Sequence, residues 1–107
     1  MATLENLIRR TKQWIRQVNL IYQGKIGIEL LVDEEYFLRY IIETKHYLAE
    51  LVIEPDGFHP YRHVSFTAFD LGREDTSSYA YCYYDNEEST EDEIFNCLDE
   101  AISYIMS

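Results

Sequence analysis

Residues 36–53, with the sequence YFLRYIIETKHYLAELVI, decide the fold, because their apolar side chains fit either a helix or a hairpin. A helix would have Asp33 as its N-cap and Pro55 beyond its end. The apolar face of that helix would consist of Phe37, Tyr40, Ile41, Thr44, Leu48 and Leu51. A hairpin would turn at Thr44 and Lys45 and return over 47–53. One face of its first strand would carry Tyr36, Leu38, Tyr40 and Ile42.

The remaining apolar residues of this segment favour the hairpin. A helix would have a second apolar side needing its own cover, made of Leu38, Ile42, Ala49 and Ile53. The segment is also rich in tyrosine, isoleucine and valine, which suit the pleated surface of a sheet. We therefore predict two antiparallel strands here.

Alternating apolar residues predict three further strands, at 26–32, 64–68 and 79–84. Turn sequences separate them, Glu-Pro-Asp-Gly at 54–57 and Gly-Arg-Glu-Asp at 72–75. Both ends of the chain show helical spacing instead. Thr3 is the expected N-cap of the first helix and Gly24 its stop, while Thr90 and Glu93 form a capping box for the last.

These elements predict one α+β domain over residues 1–107, since a chain of this length fits a single core. An N-terminal helix comes first, then an antiparallel meander of about five strands, then a C-terminal helix. Each helix has one apolar stripe, so we expect both helices on one face of the sheet. Trp14 belongs to the first stripe and Cys97 to the second, and both are expected to be buried.

The charge of the chain is unevenly distributed. The total is −11, from 20 acids and 9 bases, yet residues 1–25 hold five bases and one acid. From Glu74 to the end there are ten acids and no base. Net charge of this kind affects association and solubility more than fold. It argues against nucleic-acid binding, which needs a basic surface. The basic face of the first helix is either solvated or a docking face for an acidic surface, such as that of a second copy.

A row of tyrosines precedes the acidic segment. Tyr79, Tyr81 and Tyr83 alternate with the small residues Ala80 and Cys82. Small residues fit beneath a packed helix, which would turn the tyrosines toward solvent or a partner; the alternative is that the rings pack in the core. Tyrosine is common in protein interfaces. The predicted protein-binding site is therefore Tyr79, Tyr81, Tyr83, Asp85, Glu87, Glu88 and Glu91.

No motif in the chain commits to a reaction, and we predict no enzyme activity, no cofactor and no metal. His59 and His63 flank Pro60 in an extended segment, where about 13 Å would separate them. The acids of 85–93 lack the central glycine of a calcium loop and are better explained as helix-capping residues. A pair of Cys82 and His63 across neighbouring strands is conceivable, but nothing ties their faces together.

The sequence shows neither a secretory leader nor an apolar run long enough for a membrane span, so we expect a cytoplasmic protein. The two cysteines are then expected to be buried, reduced thiols. The favoured function is a small acidic, non-enzymatic domain that docks on a basic protein surface, in the manner of an immunity protein, antitoxin or inhibitor. The alternative is a homodimeric chaperone- or adaptor-like assembly protein, and a small-ligand protein or enzyme is the third possibility.

Overall fold

The structure is a computed structural model that describes residues 2–57, 61–73 and 78–107. Its elements in chain order are α1 (Leu4–Ile21), β1 (Gly27–Glu34), β2 (Phe37–Glu43), β3 (Tyr47–Ile53), β4 (Val64–Asp70), β5 (Tyr81–Tyr84) and α2 (Glu91–Met106). The five strands form one antiparallel sheet in the order β1-β2-β3-β4-β5. The predicted α+β class, with a meander between two helices, is confirmed.

The segment 36–53 is the predicted hairpin, and the helical alternative is wrong. In the β2–β3 register, Leu38 lies opposite Ile53, Tyr40 opposite Leu51 and Ile42 opposite Ala49. All six side chains are at most 4% exposed. Leu38, Ile42, Ala49 and Ile53, which would have needed a second covering surface on a helix, therefore join Tyr40 and Leu51 on one buried face of the sheet.

β4 extends this buried face, whereas β1 and β5 differ from the simple alternating pattern. Val64, Phe66 and Ala68 of β4 are fully buried. β1 changes register between Leu30 and Val32, where a bulge interrupts the predicted alternation. β5 begins at Tyr81, two residues later than expected. β1 is thus less regular than the three central strands, and β5 is shorter than they are.

The helix ends are where the sequence predicted them. Thr3 Oγ1 accepts a hydrogen bond from Asn6 N at 3.3 Å, and Thr90 Oγ1 accepts one from Glu93 N at 3.2 Å. After α1 the chain turns through Gly24, whose φ of 84° is in the left-handed region that favours glycine. Each cap satisfies a backbone N–H that the helix leaves unpaired.

The contact between the two helices involves residues 10–14 of α1 and residues 91–99 of α2. Trp14 Nε1 donates a hydrogen bond of 2.7 Å to Asp99 Oδ1, and the Trp14 ring meets the edge of Phe95 at 6.1 Å between centroids. Arg10, one helical turn before Trp14, binds Asp92, two turns before Asp99, so α1 and α2 run in the same direction. These contacts favour the expected placement of both helices on one face of the sheet, which stays a prediction.

Trp14, the chain's one tryptophan, is 7% exposed, as predicted. Trp14→Ala would remove both the ring packing and the bond to Asp99, and should lower the free energy of unfolding by about 3–5 kcal/mol. Trp14→Phe keeps an aromatic ring and loses the hydrogen bond, so its cost should be smaller, about 1–2 kcal/mol. Urea unfolding followed by circular dichroism measures both. Equal losses for the two variants would contradict the packing role of the ring.

Candidate functional site

The predicted tyrosine row is not a single exposed surface. Tyr81 and Tyr83 lie opposite Ala68 and Phe66 in the β4–β5 register, on the face of the sheet that forms the core, and both rings are half-buried. Tyr79 lies outside β5, where its ring packs on Phe69 at 4.8 Å between centroids. The expectation that small residues would face the helix is reversed, because the rings of Tyr81 and Tyr83 fill the space between β5 and α2.

Tyr81 belongs to an aromatic cluster that the sequence did not indicate. Its ring meets the edge of Phe66 at 6.2 Å and lies 4.9 Å from Tyr104 of α2. Tyr104 is also 5.4 Å from Tyr47 and remains 38% exposed. Tyr104 follows Cys97 by seven residues, so the two side chains lie on the same side of α2. This spacing is the sequence signal that could have predicted Tyr104 as a member of the cluster.

The tyrosine hydroxyls in this region are held in their neutral form. Burial raises the pKa of Tyr83 to about 12. Burial and the nearby Glu100 carboxylate also raise the pKa of Tyr81. Both hydroxyls therefore stay protonated, and able to donate a hydrogen bond, to a higher pH than an exposed tyrosine.

Asp85, one of the predicted interface acids, is a structural residue. It is 2% exposed, and its Oδ1 accepts hydrogen bonds from the backbone N–H groups of Arg62, His63 and Val64 at 2.9, 2.8 and 2.9 Å. A carboxylate is suited to this position because it can accept several donors at once. Asp85 thus joins the end of β5 to the start of β4 and does not contribute to the exposed surface.

Glu87 and Glu88 are exposed, as an interface requires. They lie in a turn between β5 and α2, where Asn86 Oδ1 accepts Glu88 N at 2.9 Å and Ser89 Oγ accepts Asn86 N at 3.1 Å. These local hydrogen bonds fix the turn backbone and leave both carboxylates directed to solvent.

Glu91, by contrast, already has a cationic partner within the chain. Arg10 of α1 contacts Glu91 at 3.1 Å and Asp92 at 2.8 Å, and its guanidinium lies 4.6 Å from the centre of the Phe95 ring. These two carboxylates raise the pKa of Arg10. Part of the basic face of α1 therefore binds the acidic start of α2 in the same chain, the pairing that the sequence suggested for a second copy.

The acids of α2 that remain are exposed and have no cationic partner among the described residues. Glu93 accepts a hydrogen bond from the Thr90 hydroxyl, and Asp99 accepts the one from Trp14. The Glu100 carboxylate is near enough to Tyr81 to contribute to the rise in its pKa. Together with Glu87 and Glu88 they form what we call the acidic surface, namely Glu87, Glu88, Glu93, Asp99 and Glu100. Of the other predicted acids, Glu74 and Asp75 lie outside the described residues.

Other candidate groups do not converge in the described part of the chain. Cys82 lies opposite Thr67, whereas His63 is buried with its Nδ1 at 2.9 Å from the Glu54 carbonyl. Four residues of strand separate Thr67 from His63, about 13 Å, so this pair does not form. His59 lies outside the described residues. Among residues 2–57, 61–73 and 78–107, no group of three His, Cys, Asp or Glu could hold a metal ion.

An open groove of about 1040 Å³ lies at the other edge of the sheet, between the start of β1, the β2–β3 turn and the end of α2. Its charged residues include both Lys25 and Lys45 and both Glu29 and Glu43. Charges of both signs give this groove no preference for one sign of ligand. None of the predicted interface residues lines it.

Comparison with known proteins adds no relative to this description. No protein-family model, no curated protein and no solved structure matches the chain. Among the described residues, no helix has both the length and the apolar character needed to cross a membrane.

Asp85→Ala should destabilise the protein by about 3 kcal/mol, because it removes three hydrogen bonds and leaves the buried N–H groups of His63 and Val64 without their acceptor, whereas Arg62 N keeps the Asp85 carbonyl at 3.2 Å. Glu87→Ala, two residues away and exposed, is the matched control and should change stability by less than about 0.5 kcal/mol. Thermal and urea unfolding of both variants measure the difference. A fully stable Asp85→Ala protein would show that these three hydrogen bonds do not hold β4 to β5.

The two cysteines should react at different rates. Both are free, as predicted, but Cys82 is exposed and only Cys97 is half-buried, so the expected burial of Cys82 is wrong. Burial and the Glu100 carboxylate raise the pKa of Cys97, which lowers its thiolate fraction. In native buffer, a thiol reagent should therefore label Cys82 at least about tenfold faster than Cys97. Cys82→Ser and Cys97→Ser assign the two phases, and faster labelling of Cys97 would contradict the placement.

Proposed function

We propose that this protein is a non-enzymatic binding domain that docks on a basic surface of another protein through the acidic surface and β5. The observation that carries the proposal is the charge of residues 85–107, which include eight acids and no base. Arg10 lies against two of these acids and Asp85 is buried, so five carboxylates stay available around one helix.

The distribution of the bases supports the same surface. Arg10 lies between α1 and the start of α2, and Lys12 binds Asp33 of β1 at 2.9 Å. Two of the bases of α1 are therefore committed to intramolecular contacts on either side of that helix. Arg10 offsets the charges of Glu91 and Asp92, whereas the five carboxylates of the acidic surface have no cationic partner among the described residues. A basic partner would therefore be attracted over about one Debye length, roughly 8–10 Å in physiological salt.

The alternative, a homodimeric assembly protein, is favoured by one separate observation. Leu20 and Ile21, at the end of α1, are each 71% exposed. Two adjacent aliphatic side chains of this exposure could join two copies. Sedimentation of the wild type and of Leu20→Ser/Ile21→Ser discriminates between the two functions, since only the assembly function requires a dimer that this variant dissociates.

Charge-neutralising variants test the proposed function. Glu87→Gln/Glu88→Gln/Glu100→Gln removes three charges from the acidic surface, and Glu29→Gln/Glu34→Gln/Glu43→Gln removes three from β1 and β2 as the matched control. A partner captured at low salt would be purified and its binding kinetics measured at about 50 and about 500 mM salt. The first variant should associate about tenfold more slowly and lose most of its salt dependence.

The control variant should associate within about twofold of the wild type, because its charges lie at the far edge of the sheet. Thermal melts confirm that both variants fold. Equal slowing by both variants would mean that net charge alone attracts the partner. An unchanged rate for the first variant would remove the acidic surface from the interface.

A further inference from the structure

The two edges of the sheet are protected to different degrees. β1 has a bulge between Leu30 and Val32 and carries Glu29, Asp33 and Glu34, features that discourage pairing with another strand. β5, with the sequence YCYY, has neither a charge, nor a proline, nor a bulge in its register. Apart from its short length, nothing in β5 itself prevents a further strand from pairing with it.

The register of β5 identifies the backbone groups at its free edge. At the end of the β4–β5 ladder, Asp85 N donates to Val64 O at 3.2 Å. Hydrogen-bonded pairs alternate along an antiparallel ladder, so the bonded residues of β5 are Tyr83 and Tyr81. The N–H and C=O groups of Cys82 and Tyr84 therefore point away from β4.

The side chains next to this edge differ on its two faces. On the core side are Tyr81 and Tyr83, with Glu100 of α2 close to Tyr81. On the opposite side Cys82 is exposed, and Tyr84 stacks on Tyr61 with 5.6 Å between the ring centroids and 16° between the planes. An added strand would thus meet carboxylates and phenol rings on one face, and an aromatic pair on the other.

We propose that an extended basic segment of the partner binds antiparallel to β5 as a sixth strand, with its backbone hydrogen-bonded to Cys82 and Tyr84. Its lysines or arginines lie on the α2 side, near Glu93 and Glu100, and its apolar residues lie against the Tyr61–Tyr84 pair. This inference rests on the proposed function and specifies how the partner is held. Main-chain bonds supply affinity in this mode and the alternating side chains supply specificity.

Charge distinguishes this occupant from a second copy of the chain. Pairing β5 with β5 of another copy would bring two acidic surfaces together, each with five exposed carboxylates. Like charges placed in apposition oppose association. A basic strand gains from the same carboxylates, and its cations also gain from the tyrosine faces.

Three synthetic peptides test the proposal directly. The parent is acetyl-KVKVKVK-amide, and the other two carry N-methyl groups either on the valines or on the lysines. In antiparallel pairing, a peptide residue that bonds to Cys82 or Tyr84 has its side chain on the same face of the sheet as those two residues. In the proposed complex these peptide residues are the valines. Methylation of the valines should weaken binding at least tenfold, whereas methylation of the lysines should leave it within about threefold.

Amide hydrogen exchange of the protein gives the second readout. Saturating parent peptide should slow exchange at Cys82 and Tyr84 at least tenfold and leave Tyr81 and Tyr83 unchanged. Cys82→Pro, which removes an edge-facing N–H and no hydrogen bond to β4, should bind the parent at least tenfold more weakly than Cys82→Ser. The methylated peptides keep the test valid if the proline variant unfolds.

Each other outcome overturns the inference. Equal binding of all three peptides without protection would mean that charge alone holds the partner, which leaves the proposed function intact. No binding of the parent removes the sixth strand, while the charge-variant kinetics decide the proposed function separately. Tight, protecting binding of acetyl-EVEVEVE-amide would exclude a basic occupant. A dimeric free protein with Cys82 and Tyr84 already protected would assign the edge to a second copy.

Discussion

The contact between the two helices is the interaction on which the arrangement of the whole chain depends. Trp14 binds Asp99 through its indole N–H, and Arg10 binds Glu91 and Asp92 at the start of α2. These bonds join the first element of the chain to the last. Glu91 and Asp92 lie in the first turn of α2, so they stabilise the positive N-terminal end of that helix as well as pairing with Arg10.

The same contact determines where negative charge remains. Arg10 is used between the helices, so the carboxylates that it does not reach lie on the exposed parts of α2 and on the preceding turn. Asp85, by contrast, is buried, because its carboxylate accepts hydrogen bonds from three backbone N–H groups. Acids that lie close together in the sequence therefore have different roles. Asp85 organises the β4–β5 junction, Glu91 and Asp92 bind α1, and the others remain at the surface.

Periodicity was enough to predict the elements and the hairpin, because apolar residues alternate along the central strands and form one stripe on each helix. β4 is buried on both faces, but its apolar residues Val64, Phe66 and Ala68 still alternate with the small polar Ser65 and Thr67. It could not predict which face of β5 is covered, since Tyr81 and Cys82 alternate equally well either way. That choice depends on the space between β5 and α2, which large rings fill and a cysteine would not. Composition likewise could not distinguish the buried Asp85 from the exposed Glu87. Asp85 is buried because backbone N–H donors at the start of β4, 21 to 23 residues earlier in the chain, bind its carboxylate.

The edges of the sheet connect charge to recognition. β1 is protected by its own bulge and acidic residues, but β5 carries no such residues and depends on neighbouring elements. Carboxylates on α2 and on the 86–89 turn would repel another copy of this acidic chain and would attract a basic strand. One set of charges can therefore limit self-association and select a partner, without any charged residue in β5. A strand of four uncharged residues at the edge of an acidic protein is consistent both with limited self-association and with the binding of a basic partner.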